Sequence, residues 1–300
     1  MENKKYSIFH IEGGLGKHIA ATAVAKCIKN NHPDRELIII CAYPAVYVNL
    51  EFVSRVYRIG NTPYFYRDFI KDKDSLIFKH EPYFTTEHIH KKMRLIENWC
   101  KLYNLDYNGE EPELIFNPRE LQKYSRTWSN SNKPIMVIQS NGGTYIEQSG
   151  LPYRWTRDMP FPILQNIVNK YSETYQILQV SRPGSPVANG ATIVNHELNT
   201  MELLSILLNS SKRLLIDSSL QHAAAALGLP STVLWIGTSP KLFGYEIHDN
   251  IVAEIPENQK LPDSYFFDYD FEGQLLEFPF KNEAIFDTEE IIKSLTKQGL

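Results

Sequence analysis

Cysteine is scarce in this 300-residue chain: Cys27, Cys41 and Cys100 are the only three. They are far apart and odd in number, fit no metal-binding spacing and read as reduced core residues. An excess of positive charge is also missing. Lys and Arg total 31 against 35 Asp and Glu, so a net charge of −4 excludes a general electrostatic attraction to nucleic acid or anionic membrane. No run of about 18 apolar residues occurs, so no transmembrane segment is expected. No N-terminal signal pattern is present either, and the expectation is a soluble, cytoplasmic protein. Internal repeats and low-complexity tracts are absent. What remains is an ordinary globular composition, 43% hydrophobic and 22% charged, long enough for one large or two medium domains.

The apolar runs are short and regularly spaced. Strands are predicted at "YSIFHI", "LIIICA", "FVSRVYRI" and "SLIF" in the first half, and at "IMVIQ", "YQILQV", "ATIVNH", "RLLIDS", "STVLWI" and "NIVAEI" in the second. A helix follows the first strand, with Ile19, Ala20, Ala23, Val24, Cys27 and Ile28 on one face. Another is predicted over "EHIHKKMRLIENWCKLYNL", and further ones at 161–171, 200–209 and 219–227. "FDTEEIIKSLTKQGL" carries a cap, an acidic first turn and a late glycine, which marks a terminal helix. Strands that are apolar throughout and alternate with helices imply parallel sheets covered on both faces. The polar, breaker-rich "TWSNSNKP" divides the chain into an N-terminal Rossmann-like domain, 1–130, and a C-terminal one, 131–285. The remaining residues, 286–300, form the terminal helix, which is expected to pack back on the N-terminal domain. In such folds the ligand sits beyond the C-terminal ends of the strands.

Two strand-to-helix turns carry chemistry. The first, "IEGGLGKH", groups Gly13, Gly14 and Gly16 with Glu12, Lys17 and His18. A Walker loop would need an early glycine where Ile11 stands and a hydroxyl where His18 stands, although Gly16-Lys17 fits its second part. Glycines also permit a tight turn on packing grounds alone. Lysine at a helix N-terminus adds charge to an already positive end, which favours an anion nearby. The second turn, "IDSSLQHAAAALGLP", ends a strand at Asp217 and offers Ser218 and Ser219 as capping hydroxyls. It places His222 in the first helical turn, then stops at Gly228 before Pro230. Its free N–H groups make it a ready anion site. The next strand runs into "IGTSP", with Thr238 and Ser239 on the same sheet edge.

The pattern D-S-x-x-x-H-x-A-A-A-L-G-x-P, followed by a strand and "GTSP", resembles the C-terminal signature of glycosyltransferase family nine, the lipopolysaccharide heptosyltransferase-like enzymes. "GGLGKHIAATAVAKCIKNNHPDREL" is similar to that family's opening loop and helix, and "TMELLSILLNSSKRLLIDSS" to the helix leading into the signature. Together the matches cover about a third of the chain. The resemblance implies a GT-B fold, with two Rossmann-like domains facing a cleft and a nucleotide-diphosphate sugar held by the C-terminal one. It implies an inverting, metal-independent transferase with no cofactor, acting on a glycan or glycolipid hydroxyl, with no nucleic-acid partner and with peripheral membrane contact allowed. Carried over by position, the donor side comprises Asn141 and Gly142 of "QSNGG", Arg154 and Arg157 of "YRWTRDMP", Glu202, Asp217, Ser218, Ser219, His222, Thr238 and Ser239. Glu202 has a solvated-helix reading of equal standing. The family's glycine loop carries an aspartate base where Lys17 stands here, and Ser219 replaces a signature glycine. The catalytic candidates are therefore Lys17, His18, Glu12 and His10.

Two alternatives follow from the same residues. Lysine in the base position fits a catalytically inactive nucleotide-sugar-binding protein, and GGLGKH fits a P-loop-like NTPase or kinase. "DKD" (Asp72 to Asp74) and "DYD" (Asp268 to Asp270) match a metal-binding D-x-D but read as a charged turn and an aromatic loop. His88 and His90, two apart on a helix, do not face one metal.

Overall fold

The computed structural model describes residues 4–90, 92–128, 132–142, 156–256 and 284–298. All ten predicted strands form. The first sheet contains β1 (Lys5–Ile11), β2 (Glu36–Cys41), β3 (Arg55–Arg58) and β4 (Asp74–Phe78), ordered β3-β2-β1-β4. The second contains β5 (Ile135–Gln139), β6 (Gln176–Val180), β7 (Ala191–Ile193), β8 (Ser210–Ile216), β9 (Thr232–Trp235) and β10 (Asp249–Val252), ordered β10-β9-β8-β5-β6-β7. Every pairing between these strands is parallel. Central strands such as β5 and β9 are buried at every position, which is why they read as unbroken apolar runs.

Helix α1 (Leu15–Asn31) is buried nearly all round, because it is wedged between the first sheet and the second domain. Its alanines admit close neighbours. On one side lies α3 (Leu95–Leu102); on the other lies α7 (Ser219–Ala226), the helix of the second motif. Phe9, Ile19, Ala20 and Val24 consequently share one buried cluster with Leu215, Leu220, Ala223 and Trp235. A second cluster, on the other face of the second sheet, joins Ile138 and Leu214 to Ile163 and Ile167 of α5 (Phe161–Tyr171).

The helix expected at 200–209 stops at Ser205, and three further elements depart from expectation. The predicted helix through 87–105 is broken into α2 (Thr86–Ile89) and α3, with Arg94 extended at ψ 147° as the cap. Asn98 donates to Thr85 Oγ1 and Lys101 pairs with Glu87, so α3 turns back on α2 rather than continuing it. A further helix, α4 (Pro118–Trp128), precedes the linker and meets α6 (Thr200–Ser205) of the second domain, where Trp128 Nε1 donates to Ser205 Oγ. The terminal helix α9 (Thr288–Lys297) packs on the second sheet and α5, not back on the N-terminal domain. Its Ile291 and Leu295 stripe enters the second cluster, Thr232 and Ser294 hydroxyls meet at 2.6 Å, and Lys212 Nζ donates to its last carbonyls at Leu295 and Gln298.

Candidate active site

The two sequence motifs meet. Both occupy turns at the C-terminal end of a strand, β1 for the glycine turn and β8 for the Asp217 turn, and the helices they open pack together. A Cβ built on Gly16 would lie 2.8 Å from His222 Cδ2 and 3.2 Å from Ser219 Cα, so only glycine allows this approach. Gly13 has φ +98° and turns the chain; the Lys17 side chain lies directly against it.

Lys17 forms an ion pair with Glu81, and its ammonium lies 5.2 Å from the Tyr83 ring centre and 6.0 Å from that of Trp99. The lysine side chain is 13% exposed and Glu81 29%. The anion expected beside Lys17 is thus supplied by the protein itself. Glu81 follows β4, one strand away from β1.

His18 is buried, with both ring nitrogens beside backbone groups. Ala42 N–H lies 3.1 Å from Nε2 and the Ile11 carbonyl 3.3 Å from the same nitrogen, while Nδ1 is 2.9 Å from Gly14 O; since the Ala42 amide can only donate, Nε2 accepts from it and Nδ1 donates to Gly14 O. Tyr47 OH donates to its carbonyl, and Tyr43 packs on the ring edge. Burial lowers its pKa. This imidazole ties β1, α1 and the turn after β2 together, because both ring nitrogens serve backbone groups.

At the outer lip of the turn, Glu12 is 59% exposed, with His10 Nε2 at 3.6 Å and Lys79 Nζ at 4.0 Å. Burial and the Lys79 charge lower the His10 pKa. Glu12 is the carboxylate in this group that faces open solvent.

Across the seam, Asp217 is buried, with Arg157 Nε 3.8 Å from its carboxylate. Ser218 is the cap residue of α7, its hydroxyl making no capping hydrogen bond, and a Cβ on Gly142 would come within 3.3 Å of that hydroxyl. The loop after β5 therefore reaches the same helix end. Asn141 Oδ1 accepts from Ser140 Oγ, and Gly142 N–H donates to Asp158. Ser239 caps the short α8 (Pro240–Phe243), while the buried Thr238 hydroxyl has no partner among the described residues. His222 Nδ1 meets Tyr245 OH at 2.8 Å, and burial pushes its pKa down to about 4. Arg154 and Gly143 lie outside the described residues, as does "DYD".

Glu202 is not brought into this group by its contacts. Its carboxylate accepts from Thr127 and Asn199, and its N–H donates to Asn199 Oδ1, a reciprocal cap on α6. In "DKD", Asp74 pairs with Arg35 and Asp72 sits in a left-handed turn at φ +55°. His88 is buried against Tyr83 and Phe243. Among the described residues no group of three or more His, Cys, Asp or Glu is placed to hold a metal ion. None of their helices is long and apolar enough to cross a membrane.

Three residues absent from the sequence reading complete the geometry. Arg182, just past β6, is buried, pairs with Asp158 and donates to Gly142 O, which fixes the loop after β5. Glu81 and Arg182 both follow strand ends, so the rule that loops there carry chemistry would have found them. Tyr245 has no comparable local signal.

No protein-family model and no curated protein sequence matches the chain. Solved structures do. A glycosyl transferase family 9 protein from Veillonella parvula superposes with a TM-score of 0.69 at 11% identity, covering 99% of this chain and 98% of that one. The chain has the GT-B fold. The E. coli heptosyltransferase WaaC with ADP gives 0.59 at 9% identity, over 98% and 99% of the two chains. TibC from enterotoxigenic E. coli, described as an iron-containing dodecameric glycosyltransferase, gives 0.63 at 13% identity over 100% of this chain and 74% of its own. The fold that the short motifs imply is the fold these structures share with the chain.

Proposed function

We propose that this chain is an inverting glycosyltransferase that moves a sugar from a nucleotide-diphosphate sugar to a glycan or glycolipid hydroxyl. The observation that carries the reading is the meeting of the glycine turn with the first turn of α7 across the domain seam. The α7 N-terminus, with Ser218 and Ser219 in its first positions, directly follows Asp217, and the Arg157 guanidinium sits by that carboxylate, an arrangement suited to a diphosphate whose charge grows as it departs. That positive end makes a metal ion unnecessary to the proposal. Glu12 is assigned as the general base: His18 is committed to backbone, Lys17 to Glu81, and His10 is the neighbour of Glu12. Its carboxylate takes the acceptor hydroxyl proton as the oxygen bonds to the anomeric carbon. The carbon–phosphate-oxygen bond breaks with its electron pair, and the nucleoside diphosphate leaves.

A second reading is a nucleotide-sugar-binding protein without transfer, favoured by the Lys17–Glu81 pair in the place of a free aspartate. The P-loop reading is disfavoured because the imidazole at its hydroxyl position points into backbone. Release of nucleoside diphosphate from ADP-, GDP- and UDP-sugars, with and without EDTA, separates these. ADP-heptose is the first donor to try, since one neighbour was solved with it. Turnover that survives EDTA and falls at least about 100-fold in Glu12→Gln is expected. Binding without turnover moves the assignment to the second reading.

A further inference from the structure

The Tyr245 hydroxyl is buried, and among the described residues its hydrogen-bond partner is His222 Nδ1, 2.8 Å away. A phenolic proton buried with one acceptor in reach must go to that acceptor, since leaving it unpaired costs about 1–3 kcal/mol. Nδ1 is then the acceptor, and in a neutral imidazole the proton sits on Nε2.

The Cδ2–Nε2 edge of the ring is the one that faces Gly16, 2.8 and 3.4 Å from a Cβ built there. No carbonyl, carboxylate or hydroxyl among the described residues bonds Nε2. The Gln221 amide nitrogen is 3.3 Å from Nδ1 and 3.2 Å from Nε2. In the ring plane that equidistant position belongs to Cε1–H, so the amide lies over the ring face and selects neither tautomer. One of its hydrogens goes to Phe243 O.

The first domain holds the phenol in place. The Arg94 guanidinium, doubly bonded to Glu111, lies 5.5 Å over the Tyr245 ring, and Tyr245 packs edge-on against His222 and His248. Burial raises the Tyr245 pKa, so its hydroxyl stays a donor.

We propose that Tyr245 is a positioning residue that fixes His222 as the Nε2–H tautomer, presenting one hydrogen-bond donor to a phosphate oxygen of the donor at the glycine-turn seam. The ligand half of this statement rests on the function proposed above; the tautomer half does not. A phosphate oxygen is acceptor-only when ionised, so the other tautomer would meet it lone pair to lone pair.

Long-range 1H–15N spectra of histidine-labelled protein test it, with the His222 signals assigned by their loss in His222→Asn. The full chain is expected to show the neutral Nε2–H pattern for His222, and Tyr245→Phe to shift it toward a mixture or toward Nδ1–H. An Nδ1–H pattern in the unsubstituted protein, or no change in Tyr245→Phe, overturns the assignment; the first needs no variant to fold. ADP, GDP and UDP titrations then read the ligand half. A tenfold or greater weakening in Tyr245→Phe is expected, with the substituted protein keeping its melting temperature within a few degrees. Equal affinities for the two proteins overturn that half. A correct tautomer with no diphosphate bound by either protein overturns the site reading and leaves the Tyr245 assignment standing.

Discussion

Lys17 and Glu81 neutralise one another at the point where the first helix leaves its strand, under the rings of Tyr83 and Trp99. Removing one partner leaves a partly buried charge without its counter-ion. Lys17→Met should cost about 1–3 kcal/mol of stability, read as a lower urea midpoint. The double variant Lys17→Met with Glu81→Gln should regain part of that loss. Equal midpoints for the single variant and the parent protein would show that solvent already screens the pair.

Gly16 is a close contact between the domains. Gly16→Ala should lower affinity for a nucleoside diphosphate, because its methyl would meet His222 Cδ2 at 2.8 Å and the Ser219 backbone at 3.2 Å. Gly14→Ala is the control: a Cβ there meets nothing within 4 Å. Calorimetric titration of the two variants should separate them; a matching loss in both would mean that backbone freedom, not the approach to α7, is what glycine supplies.

Acid should destabilise the fold well before its carboxylates titrate. Burial holds His222 and His248 at about 4, below the ordinary value of 6.5, and burial also lowers His10, His18 and His88. Between about pH 6.5 and 4 the unfolded chain therefore binds protons that the native one refuses. Stability from these groups is complete above 6.5 and is lost as pH falls toward 4. Each fully buried histidine contributes a slope of up to about 1.4 kcal/mol per pH unit. Urea midpoints at pH 7, 6 and 5 should fall steadily, and a flat series would contradict the burial of these rings.

The chain end is a working part of the second sheet. Gln298 Oε1 accepts from Arg213 N–H, while its Nε2 donates to Arg213 O and Thr232 Oγ1. Gln298→Ala should cost about 1–3 kcal/mol. Deleting α9 outright should expose Leu214 of β8 and Leu234 of β9 and leave the second domain insoluble. Expression and solubility of the two variants measure this directly.

The strands and the glycine turn were legible because each is a local pattern: a short apolar run, then glycine, then helical spacing. The Asp217–His222 turn was legible for the same reason, with its capping serines and alanine tail. Other features depend on partners distant in sequence. His18 looks like a reactive group beside Lys17, and its burial is decided by the Ala42 amide, 24 residues away. The anion for Lys17 comes from Glu81, and the hydroxyl for His222 from Tyr245, neither within one turn of its partner. The break between α2 and α3 is set by Thr85, Asn98 and Glu87–Lys101 contacts that override a continuous apolar stripe. The terminal helix was recognisable from its caps, but its destination was not, since Ile291 and Leu295 would suit either domain.

The alanine faces of α1 and α7 make the two halves of this molecule mutually dependent. A chain severed in the linker would leave Ala20 and Val24 bare on one fragment and Leu220 and Ala223 bare on the other. Neither fragment closes its own interior, so each completes the other as two strips of a zip do. A single calorimetric melting transition is the expected signature. It also follows that a hinge-like parting of the two halves must disturb that shared interior, leaving the outer lip around Glu12 as the least costly way in.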